Sequence, residues 1–334
     1  MSGSWPHAAW LSRSGRWGLA IVFLLGILSL AAPLLTPHSP ETLFDPTAGR
    51  YLPPLSSHPA VQLRDGRWLL AQSIRPVNGG LELERLGTSQ IVSRSDLSEA
   101  PSGELTQEIF FPLGTDKLGR DLWSRIVFGA RISLGIGLLA TAISLVVGIL
   151  VGAAAALGGR WLDAILMRMV DALLMFPRLF LVLALAGITQ AQFWVVILVL
   201  GLTGWMSVSR LIRAELLSLQ ETDYVLAARA LGQHPWRIFT RHMLPAALSP
   251  VLVDLSLRVG AVILIEAALS FLGFGVHPPT PSWGNIIADG MDALTSAWWV
   301  TTFPGLAISI TVIAFNLLGD GVRDFLDPRL KALD

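Results

Sequence analysis

The chain has 334 residues, 53% hydrophobic and only 14% charged, with a mean hydropathy of +0.61, values that exclude an ordinary soluble domain and describe a polytopic membrane protein. Its 24 basic and 24 acidic residues cancel, so no global attraction to nucleic acid or anionic lipid follows. The absence of cysteine excludes disulfides, thiolate metal sites and a cysteine nucleophile.

Residues 1–16 form a short N-terminal segment carrying Arg13 and Arg16, and residues 17–35 are free of charge. At 1.5 Å per residue this run just crosses a hydrocarbon core of about 30 Å, and a first transmembrane helix is expected there. A cleaved signal peptide is the competing reading, since Ser29-Leu30-Ala31 has the small residues of a cleavage site, but the apolar run exceeds the usual length of such segments. From Thr36 the composition turns polar, and residues 36–112 contain no run able to span, so they form an aqueous insertion. Within it Val61-Gln62-Leu63 and Trp68-Leu69-Leu70 flank Arg64-Asp65-Gly66-Arg67, and Asn78-Gly79 precedes Leu81-Glu82-Leu83. Asp-Gly and Asn-Gly accept positive φ, which predicts hairpins and a small β-rich subdomain; a solvated irregular loop is the alternative.

Residues 113–334 carry the remaining apolar segments. Asp116 is placed to cap an amphipathic lead-in helix bearing Leu118, Leu122, Trp123 and Ile126, which leads into a second span over 132–157. Gly148 and Gly152 lie four apart on that span and permit close approach of another helix. A third helix carries Asp163, Arg168 and Asp171 and is expected to kink at Pro177. The uncharged run 179–209 is too long for one span, so a turn at 187–192 and a fourth span over 193–209 follow. The fifth, 246–273, contains Asp254, Arg258 and Glu266, the first two sharing a helical face. Each such group costs about 2.5–3.5 kcal/mol at membrane depth and must face protein or water. They border a conduit or gate, or they are structural, as an Asp254–Arg258 pair near the cytoplasmic end and a Glu266 satisfied by a neighbouring helix. Pro278-Pro279-Thr280-Pro281 breaks the chain, Trp298-Trp299 marks an interface, and 299–319 make a sixth span.

Short connections on one side hold Arg160, Arg210, Arg213, Arg229, Arg237 and Arg241, and the two ends add Arg13, Arg16, Arg323, Arg329 and Lys331. The opposite short connections, 187–192 and 274–298, hold no arginine or lysine. Both termini are therefore expected in the cytoplasm and the insertion outside, its own arginines being discounted because long loops translocate regardless of charge.

On the cytoplasmic side lies a polar stretch, 218–245. Ser218-Leu219-Gln220-Glu221 fits a capping box, predicting a helix that ends at Gly232, then a second from Pro235 to Met243 stopped by Leu244-Pro245. The small Ala227 and Ala228 would let a partner surface approach, and the arginines would pair with it. This segment resembles the coupling loop of ATP-binding cassette (ABC) importer permeases, whose pattern is Glu-Ala-Ala, three residues, Gly, nine residues, Ile, one residue, Leu-Pro. Ala227, Ala228, Gly232, Leu244 and Pro245 match at the right spacing, whereas Leu226 stands in the glutamate position and His242 in the isoleucine position. Asp223-Tyr224-Val225 through Gly232 and Arg241-His242 through Pro245, together with the stretches 114–134 and 266–285, are similar to the second permease of dipeptide, oligopeptide and nickel importers.

The resemblance implies an all-α fold of six transmembrane helices with type I importer architecture, in a bacterial inner membrane; the small β-rich extracytoplasmic insertion between helices one and two is expected from the turn signals, not from the resemblance. It implies that Asp223, Tyr224, Ala227, Ala228, Arg229, Gly232, Leu244 and Pro245 engage a cytoplasmic ATPase. It also implies a second, related permease as heterodimer partner, two ATPases and an extracytoplasmic solute-binding protein. No cofactor is expected on this chain: neither Lys117 nor Lys331 lies in a phosphate-binding loop, so ATP and magnesium belong to the partners. Peptides are the first choice of substrate and nickel or a chelated metal the second. A DNA-reading helix-turn-helix is disfavoured because spans tether both its ends. An intramembrane enzyme is a distant alternative, since His7, His38, His58, His234, His242 and His277 all fall outside the expected spans.

Overall fold

A computed structural model describes residues 12–98, 105–188 and 192–326. Arg329, Lys331 and His7 lie outside the described residues, as do residues 189–191 of the 187–192 turn. The chain divides into two units, one of residues 1–26, 133–269 and 309–334, the other of residues 27–132 and 270–308.

The second unit holds the insertion, which is ordered and β-rich. After α1 (Arg13–Leu30) and a short α2 (Ala32–Leu35), strands β1 (Ser56–Gln62) and β2 (Trp68–Leu70) form the hairpin expected around Asp65-Gly66. Strands β3 (Ser73–Val77) and β4 (Gly80–Arg85) turn on Asn78-Gly79, and β5 (Thr88–Ser93) follows. Strand β6 (Gln107–Phe111) returns to pair with β1, giving two three-stranded antiparallel sheets, β2-β1-β6 and β3-β4-β5. Neighbouring residues of a strand face opposite ways, and β1 uses both faces. Ala60 packs with Phe44, Leu70, Ile109 and Phe111, while Val61 packs with Leu81, Leu83, Val92 and Leu97.

Asp45 fastens this module. Its carboxylate accepts from Thr47, from the backbone N–H groups of Ala48 and Leu70, and from Arg85. Burial works against its charge, but those bonds prevail and hold the carboxyl below the ordinary range.

Residues 112–121 correct one expectation. Gly114 and Gly119, both at positive φ, fold them into a loop, and Asp116 lies buried inside it, where Oδ1 accepts from the N–H groups of Leu118 and Arg120. The helix is capped instead by Asp121, which accepts from the N–H of Trp123 and Ser124. No separate lead-in helix exists: α3 (Leu122–Leu157) runs unbroken for 36 residues. Trp299 is buried, its indole donating to the Thr115 carbonyl at 3.4 Å, while Trp298 beside it is exposed.

In the other unit, α4 (Arg160–Leu174) and α5 (Arg178–Ile188) replace the expected kinked third helix with two helices bent by 83°. Pro177 has no N–H and disfavours helical backbone at Phe176, so the ladder ends rather than bends. Helices α6 (Phe193–Leu202) and α7 (Trp205–Leu219) meet at Thr203-Gly204 and together form a 27-residue span, ten residues longer than expected. Gly148 and Gly152 of α3 abut α7: a Cβ on Gly148 would lie 2.6 Å from Val208, and one on Gly152 2.6 Å from the Ser209 carbonyl. This is the close approach their spacing predicts.

The remaining elements are α8 (Asp223–Ala230), α9 (Pro235–Ile238), α10 (Leu244–Phe271), α11 (Trp283–Gly290) and α12 (Trp299–Leu326). Among the described residues five helices are long and apolar enough to cross a membrane, and the count is six when the bent α4–α5 pair is taken as one broken span. Exposed leucines and isoleucines, such as Leu138 and Leu150 on α3 and Leu306, Ile310 and Ile313 on α12, suit a hydrocarbon surround.

Candidate functional site

The polar stretch 218–245 forms a helix, a turn and a second helix, but its start differs from the sequence reading. Ser218 lies in the last turn of α7 and caps nothing, because the apolar stripe Val208, Ile212 and Leu216 carries α7 onward to Leu219. Helix α8 starts at Asp223 after Thr222, whose extended backbone begins the helix while its hydroxyl donates to the Leu219 carbonyl at 2.7 Å. Gly232 ends α8 as predicted. At φ +71° it lets its own N–H reach the Arg229 carbonyl, and the Gln233 N–H reach that of Ala228, the paired bonds of a Schellman motif.

Helix α9 has Pro235 in its first turn and His234 as cap, Nδ1 accepting from the Trp236 N–H. Leu244-Pro245 does not stop it. A wide turn over Phe239–Met243, closed by the Leu244 N–H on the Phe239 carbonyl five residues back, leads directly into α10. Pro245 then sits in the first turn of α10, where its missing N–H costs nothing.

Packing divides the candidate coupling residues. Val225 and Ala228 are buried in one core with Ile212, Leu216, Ile238, Phe239 and Met243. Asp223, Tyr224, Leu226, Ala227 and Arg229 form the exposed face, continued by Leu231 and Trp236. Ala228 is therefore an anchor within the chain and not a point of close approach for a partner. Gly232 is exposed, Leu244 packs against the same core and Pro245 is exposed. Beside this face, Ala156, Leu157, Gln220, Arg229, Pro235, Trp236 and Phe239 line a cavity of about 340 Å³. Within its lining, Gln220 donates to the Ala156 carbonyl at 3.1 Å.

Asp254 and Arg258 of α10 form the expected pair, with Arg258 Nη2 at 2.6 Å from Asp254 Oδ2. Arg258 Nη1 also donates to the Gly204 carbonyl and to Ser207 Oγ. Glu266 is fully buried and accepts from Ser133 of α3 at 3.0 Å, so a neighbouring helix satisfies it. It stands 12 residues from Asp254 along α10, about 18 Å, so the three do not form one cluster.

The sequence reading missed an ionic network in the other unit. Asp289 of α11 takes Lys117 Nζ at 2.7 Å and Arg120 Nη2 and Arg125 Nη1 at 2.9 Å, while Asp116 takes Arg120 and Arg125. Burial works against the Asp289 charge, but Arg125 and Lys117 hold its carboxyl below the usual range. Helix α11 is set by a capping box, Ser282 with Asn285, and Trp283 donates to the Ile126 carbonyl at 3.0 Å. The two stretches 114–134 and 266–285 thus meet each other. The signal was present as Lys117, Arg120 and Arg125 close to Asp116, but their second acidic partner, Asp289, lies more than 160 residues on.

The family described as "binding-protein-dependent transport system inner membrane component" matches residues 144–332, more than half of the chain. The chain belongs to this family. It is 48% identical over 218 residues to a permease protein of Brucella suis named for peptide transport, covering 65% of this chain and 73% of that one. It is 39% identical over 219 residues to the dipeptide transport system permease protein DppC of Alkalihalophilus pseudofirmus, covering 66% and 72%. With the glutathione transport system permease protein GsiD of Pectobacterium atrosepticum it shares 40% over 220 residues, covering 66% and 73%. In fold it is similar to the inward-facing MetNI methionine ABC transporter, with a TM-score of 0.52 and 19% identity over 61% of this chain and 96% of that one. The protein is a non-catalytic, multi-pass inner-membrane permease subunit of an ABC importer.

Proposed function

We propose that this permease carries peptides, forming half of a translocation pathway with a second, related permease. Two cytoplasmic ATPases drive it and an extracytoplasmic solute-binding protein feeds it. The observation that carries the substrate class is agreement among relatives named for peptide, dipeptide and glutathione transport at 39–48% identity. The termini and the 218–245 loop lie in the cytoplasm, and the insertion over 36–112 lies outside, between span 17–35 and the permease core 113–334. The ATPase is met by the exposed face of α8, formed by Asp223, Tyr224, Ala227 and Arg229, while Ala228, Gly232, Leu244 and Pro245 hold that face in place. Asp254, Arg258 and Glu266 border the pathway or its gate.

The test is uptake by the complete transporter reconstituted in vesicles with its binding protein. ATP-dependent accumulation of a dipeptide, abolished when the binding protein is omitted, is the expected result. A system that accumulates a nickel complex and no peptide overturns the substrate reading.

A further inference from the structure

Arg178 is the last charge before the 31-residue uncharged run 179–209, and nothing in its own helix α5 balances it. The fold brings it to Gly204, at the break between α6 and α7. A Cβ on Gly204 would lie 3.1 Å from Arg178 Nη2, and the Gly204 carbonyl accepts from Arg258 Nη1 at 3.3 Å. Two guanidinium groups therefore converge on one glycine. Asp254 answers only Arg258, through Nε at 3.0 Å and Nη2 at 2.6 Å. Among the described residues Arg178 makes one long bond, from Nη2 to the Leu200 carbonyl at 3.4 Å, and its buried Nε has no hydrogen-bond partner. The acids of the preceding helix α4, Asp163 and Asp171, are taken by Arg213 and Arg210. Among the described residues at this spot, two positive charges therefore face one negative.

The depth of this spot decides what can balance the second positive charge. Arg258 is 14 residues from the start of α10 and 13 from its end, so about 20 Å of helix separates it from either terminus. A lipid phosphate stays near the interface and does not reach that level, whereas a solute moving through the protein does. Isolated charge at that level is unfavourable and marks substrate or ion pathways. A guanidinium with a free Nε edge suits a carboxylate, which it binds by charge-assisted hydrogen bonds.

We propose that Arg178, with Arg258 beside it, binds the terminal carboxylate of the transported peptide midway through the membrane. This rests on the reading of the chain as a peptide permease. Gly204 leaves room for the two guanidinium groups, Asp254 holds Arg258 in place, and Ser207 lines the same spot at 3.5 Å from Arg258 Nη1.

The experiment compares uptake of Ala-Ala and of its C-terminal amide by the complete transporter in vesicles, as wild type, Arg178→Gln and Ser207→Asp. The binding protein's own preference is common to all three and cancels in the ratio. Arg178→Gln should lower the preference for the free acid about tenfold, the loss expected of one charge-assisted hydrogen bond. Ser207→Asp, which supplies a fixed carboxylate beside Arg258, should lower it in the same direction, and it decides the matter if Arg178→Gln fails to assemble. An unchanged ratio in the variants that assemble overturns the carboxylate site while leaving peptide transport intact. Wild-type vesicles that take up neither peptide overturn the peptide reading itself, and the site with it.

Discussion

Ala227 and Ala228 are adjacent and chemically identical, yet glutamate at each should act in opposite ways. Ala228 is 5% exposed and packed among Val225, Ile238, Phe239 and Met243, with no cation in that core. A glutamate there stays protonated, since buried carboxyls titrate at about 8–9 instead of about 4.3. Holding it neutral at pH 7 costs about 1.36 kcal/mol for each of roughly 2.7 pH units, or about 3.7 kcal/mol. Overpacking adds about 1–3 kcal/mol. A total near 5 kcal/mol is enough to undock an eight-residue helix held by two buried side chains. Ala228→Glu should therefore make Arg229 and Arg237 rapidly cleavable by trypsin. Ala227→Glu, on the exposed face, should change stability by no more than about 0.5 kcal/mol. It should leave the loop as resistant as wild type while abolishing uptake and substrate-stimulated ATP hydrolysis. The reasoning fails if Ala228→Glu is as trypsin-resistant as wild type, or if Ala227→Glu transports normally.

Three further outcomes are expected. Gly152→Leu should separate α3 from α7, since even its Cβ would lie 2.6–2.9 Å from Ser209 and Ile212; a fall in folded protein recovered in detergent checks this, and normal recovery counts against it. Leu83→Ala, at a fully buried site of the β module, should cost about 2–5 kcal/mol and expose the insertion to protease while the helical unit stays intact. Asp45 and Asp289 have folded pKa values below their unfolded ones, so their contribution is present above about pH 4 and is lost as pH falls through the folded values. Tryptophan fluorescence should report loosening of the second unit below about pH 4, and a flat signal down to pH 2 would exclude it.

The membrane spans were legible because lipid imposes a minimum apolar length, and the hairpins because Asp65-Gly66 and Asn78-Gly79 carry their own backbone preference. Where they end was less legible. The charges of Arg210 and Arg213 made the fourth span look finished at Ser209, yet salt bridges to Asp171 and Asp163 on α4 let it continue to Leu219. The loop motif correctly marked the helix and its glycine stop. It did not separate Ala227 from Ala228, because the residues that bury Ala228 come from Phe239–Met243, whose wide turn has no sequence signal. Asp116 read as a helix cap because local spacing allowed it, and only the fold reveals Arg120 and Arg125 as its partners. Arg178 showed no partner in sequence because its environment is assembled from α6, α7 and α10.

The Asn78-Gly79 turn has a practical use. A Cβ on Gly79 would meet nothing within 4 Å, Asn78 beside it is exposed, and the chain contains no cysteine. A single thiol introduced at Asn78 would be unique in the molecule and would leave the β3–β4 register untouched. Reaction with a membrane-impermeant maleimide in intact cells would then read out directly which side of the bilayer the insertion occupies. The same position would carry a fluorophore for following when the binding protein arrives.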